Sequence, residues 1–353
     1  MKKMALVLQG GGALGAFEYG VVTKLVELGW EPTAVSGVSI GAVNAAAIAG
    51  ARDGDIVASL HAVWQAITLP QVPWLPAAMQ GSLSLLGNPN FWRSRSDYLD
   101  MARWTSLCDT SPMLATLNRH CDFAQLNDQR HMRIAVTATN LHTGGPSTFC
   151  NYHAAGAHTA AANHASTAGA LSAAHVLASG SLPPGFPSTA IDERHYWDGG
   201  LFSNTPIDAL LNMLEPAEIE TLPIFVVDLF PTDGQPAPAN LIEVQTRAIA
   251  LQYQNRFWAQ YGGNGQREGF VAMLAALEKE VAPDSALRKA PAFQWLARLR
   301  ALENIEVIAS AAAPAGGDHD FSAYGVRKAY EAGRAAVVAH FDKAARPALR
   351  SAA

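Results

Sequence analysis

No run of the sequence approaches the roughly 18–20 consecutive apolar residues that a spanning helix needs, so any contact with a membrane is expected to be peripheral. Charge is scarce: Asp, Glu, Lys and Arg make up only 16% of the 353 residues, the formal net charge is −5, and there is no long run of Lys or Arg. A weakly acidic chain without a basic patch has no electrostatic means of gathering phosphates, which argues against nucleic acid as a partner and against strong capture by anionic bilayers. Cysteine is nearly absent. Three residues, Cys108, Cys121 and Cys150, form no CxxC pair and are odd in number, so reduced thiols in a cytoplasmic setting are expected rather than a disulfide frame. The apolar stretch Met4 to Leu8 ends at Gln9 and three glycines, too soon for the core of a secretory leader.

What the chain does have is apolar mass, 49% of residues, enough for a large core. A short apolar strand, Met4 to Leu8, leads into a glycine loop, Gly10 to Gly15, and then a helix from about Ala16 to Leu28, with Val21, Leu25 and Leu28 at helical spacing. A second strand, Ala34 to Val38, runs into Ser39 and an alanine-rich helix, Gly41 to Ala51. This strand–turn–helix tempo predicts a mainly parallel sheet covered by helices. Further strands are expected at Arg133 to Thr139, Ser147 to Cys150, Pro223 to Phe230 and Asn304 to Ser310, and a last helix at about Ser322 to Phe341. The stretch Pro70 to Trp92 mixes breakers with Trp74, Leu75, Leu85, Leu86, Phe91 and Trp92, and reads as an irregular excursion: either a lid, or a loop folding its aromatics into the core. Pro231 to Pro238 is the best linker candidate.

Gly37-Val38-Ser39-Ile40-Gly41 fits G-x-S-x-G. A serine on a sharp strand-to-helix turn exposes its hydroxyl, and glycines two before and two after, Gly37 and Gly41, remove side chains that would collide across the turn. A tight strand–helix packing turn would need the same small residues. The glycine loop offers bare N–H groups suited to an oxyanion. It also fits G-x-G-x-x-G through Gly10, Gly12 and Gly15, but a dinucleotide site needs an acid near the end of the second strand, and the nearest, Glu31, precedes it. For a base, His153, His158, His164 and His175 stand in no distinctive setting, and nothing resembles HExxH, so no metal is expected. Asp198, followed by Gly199 and Gly200 after an aromatic strand end, sits where α/β sites form. An Asp-Gly-Gly turn with no chemical role has the same spelling.

Three signals in one order, GGGALG, GVSIG and, about 160 residues later, DGG, resemble the patatin-like phospholipase family, with Leu182-Pro183 and Phe186-Pro187 before the Asp and Asn204-Thr205-Pro206 after it. The resemblance covers about residues 4 to 211 and implies a three-layer α/β/α sandwich. It implies Ser39 as nucleophile, Asp198 as base, an oxyanion hole of Gly11, Gly12 and Ala13, and no cofactor. The implied activity is hydrolysis of lipid acyl esters, with transient contact at a membrane surface. Many relatives carry Arg or Lys where this chain has Leu14, which weakens the case for phospholipid over a neutral ester. Hydrolysis of a non-membrane acyl ester or thioester by the same Ser39 and Asp198 is one alternative. A binding protein that kept the fold is the remaining alternative. Residues 1–211 are therefore read as the catalytic core and 212–353 as an extension completing the same sheet; oligomeric state is not legible.

Overall fold

The computed structural model describes residues 1–97, 102–154, 157, 160–161, 164–230, 237–253, 266–310 and 317–350; positions 231–236 of the expected linker, and His158, lie outside them. Strand β1 (Lys2–Leu8) lies inside a mixed sheet that has ten strands among the described residues. Its neighbours are β2 (Trp30–Gly37) on one side and β8 (Ile224–Asp228) on the other, both parallel to it. From β8 the sheet continues to β9 (Ile305–Ala309), and from β2 to β3 (Arg133–Asn140), β4 (Pro146–Cys150) and β5 (His164–Ala168). An antiparallel pair, β6 (Thr189–Ile191) and β7 (Arg194–Asp198), attaches through β7 to β3.

The residues of β1 account for the layers. Met4, Leu6 and Leu8 point into one core and Ala5 and Val7 into the other, all fully buried. A strand covered on both faces reads as a continuous apolar run rather than an alternating one, which is why MALVL carries no period of two. On the Met4 face lie α1 (Gly15–Glu27), α2 (Ile40–Ala49), α3 (Ile56–Ile67), α4 (Ala173–Ser179) and α6 (Ala323–Arg350). On the Ala5 face lie α5 (Ile207–Leu211) and residues from Gln266–Glu280 and Leu299–Asn304. The result is a three-layer α/β/α arrangement. Every residue of α2 is buried. Such a helix must be apolar all round, and IGAVNAAAIA is, apart from Asn44.

The excursion is partly ordered into helical turns, Ala77–Gln80 and Gly81–Leu86. Its two ends differ. Phe91 and Trp92 pack with Phe186 and Phe321 in an aromatic cluster, whereas Trp74 is 83% and Leu86 78% exposed. Among the described residues no helix is long and apolar enough to cross a membrane.

Candidate active site

The site forms where two strands meet end to end on one edge of β3. Strand β2 pairs with Arg133 to Val136 and stops, Gly37 standing opposite Val136. Two residues on, β7 takes over the same edge in the opposite direction, with Asp198 opposite Ala138. Because β2 and β7 run toward each other, their carboxyl ends converge, bringing Ser39 to Asp198.

At Ser39 the backbone adopts φ 54°, ψ −122°, a region L-residues occupy only when their surroundings force them to. Here the forcing is visible. The Ser39 N–H donates to Ser179 at the end of α4, whose carbonyl lies at 3.1 Å and hydroxyl at 3.0 Å, and the Ser179 hydroxyl in turn donates to the Thr137 carbonyl at 2.6 Å. The turn also needs bare glycines: a Cβ on Gly41 would lie 2.6 Å from the Leu8 and Gln9 carbonyls, and one on Gly37 would run into Gly41. Helix α2 starts directly after Ser39, so its positive end lies at the serine.

Asp198 is 3% exposed. Burial pushes its carboxyl up to about 6, against the lowering pull of hydrogen bonds from the Ser39 hydroxyl and the Gly200 N–H. The Gly200 bond is 2.7 Å. Its main chain is pinned as well, the N–H donating to the Ser181 carbonyl at 2.9 Å and the carbonyl accepting the Thr139 hydroxyl at 2.8 Å. Gly199 must be bare because a Cβ would strike the Thr137 carbonyl.

The glycine loop faces the same space. Asn204 holds its start from both sides, accepting the Gly10 N–H at 3.0 Å and donating to the Gly10 carbonyl at 3.0 Å. Gly12 sits at φ +55°, and a Cβ there would collide with the Asp318 carbonyl. One sequence expectation needs correction here. The N–H of Ala13, expected to point at an oxyanion with those of Gly11 and Gly12, donates to the Asp318 carbonyl at 2.7 Å and is therefore already engaged. Among the described residues the Gly11 and Gly12 N–H groups meet no acceptor. Leu14 is buried in the core, so it presents nothing to a ligand.

These groups line one cavity of about 340 Å³. Ser39, Asp198, Gly11 and Gly12 line it together with Val43, Met113, Leu117, Val176, Leu177, Phe186 and Phe321, which make it largely apolar. Phe230, Tyr253, Asp318, His319 and Phe321 come from beyond residue 211, so the extension closes the site as well as extending the sheet. Sequence reasoning missed Ser179 and gave Asn204 no role. A small polar residue beside a glycine, Ser179-Gly180, is the sole local signal of the first, and the spelling Asn204-Thr205-Pro206 that of the second.

The family model for patatin-like phospholipases matches residues 6–211, more than half of the chain. The chain belongs to the patatin-like phospholipase family. At the level of that family the activity is hydrolysis of lipid acyl bonds. Among curated proteins no match reaches significance. Among solved structures, VipD from Legionella pneumophila aligns over 97% of this chain and 67% of its own, at 13% identity and a TM-score of 0.42. A likeness that distant says nothing about activity. The family model ends at residue 211 and so leaves out the residues of the extension that close the cavity.

Proposed function

We propose that this patatin-like protein is a serine-dependent carboxylic ester hydrolase with Ser39 as nucleophile and Asp198 as general base. The observation that carries the reading is that Ser39, on its strained elbow, and the buried Asp198 line one largely apolar cavity, with the Ser39 hydroxyl among the groups that lower the Asp198 carboxyl. A carboxylate with a raised pKa is a better proton acceptor near neutrality than an ordinary one. Asp198 takes the Ser39 proton as the hydroxyl attacks the acyl carbonyl. The oxyanion that forms is met by the N–H groups of Gly11 and Gly12 and by the positive end of α2, each such donor being worth roughly 3–4 kcal/mol in the transition state. The protonated Asp198 returns the proton to the leaving alcohol, and water activated by the same carboxylate frees the fatty acid.

Among the described residues lining the cavity there is no Lys or Arg; the charged or titratable ones are Asp198, Asp318 and His319, besides the Cys108 thiol and the Tyr253 phenol. That favours an uncharged acyl ester over a phospholipid headgroup as the preferred substrate. A membrane surface is where such esters would be met, and the exposed Trp74 and Leu86 suit a transient contact.

The test compares wild type, Ser39→Ala and Asp198→Asn for acid release from a nitrophenyl ester, a neutral glyceride and a phospholipid dispersion, with fluorophosphonate labelling alongside. Turnover and labelling by wild type, absent in Ser39→Ala, are expected. Labelling or turnover that survives Ser39→Ala overturns the nucleophile assignment.

A further inference from the structure

Behind the glycine loop lies a carboxylate that the mechanism above does not use. Glu18, in the first turn of α1, is fully buried. One of its oxygens accepts the Gln9 N–H at 2.6 Å, and the other accepts the Asn44 side-chain amide at 2.9 Å. Gln9 immediately precedes the glycine loop, and Asn44 lies on α2, just over one turn beyond Ser39. Asn44 is fixed in turn: its amide also donates to the Gly15 carbonyl at 3.1 Å, and its oxygen accepts the Trp64 indole N–H at 2.8 Å. The Gln9 side chain reaches the other way, donating to the Thr205 hydroxyl at 2.8 Å and accepting the Leu229 N–H at 2.8 Å.

Packing alone does not call for an acid here. The partners of Glu18 are neutral amides, and its carboxyl is pushed by burial up to about 8, with those two hydrogen bonds only partly offsetting the cost. A leucine or methionine would fill the same volume without that cost but would leave the buried Gln9 N–H unpaired, so the demand at this place is for an acceptor facing Gln9 and Asn44. In some proteins a buried polar group of this kind serves to fix one arrangement of its neighbours. What Glu18 joins by hydrogen bonds is the residue that opens the loop meant to hold the oxyanion and the helix that carries the nucleophile, two elements that elsewhere meet through close van der Waals contacts such as Gly10 against Ser39 and Gly15 against Ile40. We infer that Glu18, with Asn44, is a positioning residue that sets the Gly11 and Gly12 N–H groups relative to Ser39. The inference rests on the hydrolase reading above.

Glu18→Gln is the decisive variant. A carboxamide can accept from Gln9, but its own NH₂ then faces the NH₂ of Asn44, which Trp64 prevents from turning over. The glycine loop must shift, and a misplacement on the order of 1 Å can cost about a hundredfold in rate. We expect kcat to fall by roughly ten- to a hundredfold with KM unchanged, and faster amide hydrogen exchange in the peptide carrying Gln9 to Leu14. Adding Asn44→Asp relieves the clash of donors. The introduced carboxamide then donates to the introduced acid, which still accepts from Trp64 and, held protonated by its burial, can donate to the Gly15 carbonyl in place of the lost amide. That double variant should recover most of kcat and of the loop protection. Wild-type kcat and exchange in Glu18→Gln overturn the inference; so does a folded double variant as slow as the single one, which also decides the matter where the single variant does not fold. A wild type inactive on every ester is instead a failure of the hydrolase reading, and the exchange measurement still tests Glu18 without substrate.

Discussion

Replacing Asp198 by Asn should make the protein more stable at neutral pH while removing its turnover. The carboxyl sits at about 6 in the fold, against 3.8 ordinarily, because burial disfavours the charged form. About two units at ~1.36 kcal/mol each put the penalty of folding with an ionised Asp198 near 3 kcal/mol. The sign follows from proton counting. Between pH of about 4 and 6 the folded state holds a proton on Asp198 that the unfolded chain has released, so this group's contribution is fully present below the unfolded pKa and is lost as pH rises through the folded one. Asparagine carries no charge at any pH, and its oxygen can still accept the Gly200 N–H. The advantage of Asp198→Asn over wild type should therefore be near zero at pH 4 or below. It should grow with pH and level off at about 3 kcal/mol by pH 8. Urea unfolding of both proteins at pH 4.5 and pH 8 measures it, because titrations elsewhere are common to both and cancel. A difference that stays flat with pH, or a wild type more stable than the variant at pH 8, would refute the account of Asp198 as a carboxylate held against its own burial.

The same carboxyl should govern catalysis: kcat/KM on a neutral ester should rise as pH passes through about 6 and plateau above it, as measured in a pH–rate series, and a rise centred near 4 would point to a solvated carboxylate instead. Gly12→Ala should lose at least about a hundredfold in kcat and roughly 2 kcal/mol of stability, since a Cβ at φ +55° strikes the Asp318 carbonyl; near-wild-type activity and urea midpoint would show that the loop can give way. Trp74→Ala with Leu86→Ala should slow hydrolysis of a dispersed lipid several-fold while leaving a soluble nitrophenyl ester untouched, because both side chains are exposed and neither lines the cavity; equal loss on both substrates would argue against a surface-contact role.

Local chemistry makes parts of the site legible. Ser39 can be named because a strand-to-helix elbow demands glycines at Gly37 and Gly41, and that demand is written within five residues. Asp198 can be named as a residue, but its spelling places it only at the carboxyl edge of a strand; the antiparallel run of β7 along β3 is what turns that edge toward Ser39. The excursion at Pro70 to Trp92 cannot be divided into buried and exposed halves from its own residues, since Phe91 and Trp92 find their partners at Phe186 and Phe321, far along the chain.

By itself, then, the sequence determined the βα alternation, the apolar strands, the elbow, the glycine loop and the family, all properties set within a few residues by periodicity and backbone sterics. Only the tertiary structure decided which groups meet. Ser179 holds Ser39 across 140 positions and Asn204 holds Gly10 across 194, and the Asp318 carbonyl takes the Ala13 N–H from a segment outside the family match. Hydrogen bonds of that kind are short in space and leave no period in the chain, because a buried donor constrains only the place of its acceptor, not the acceptor's distance along the sequence.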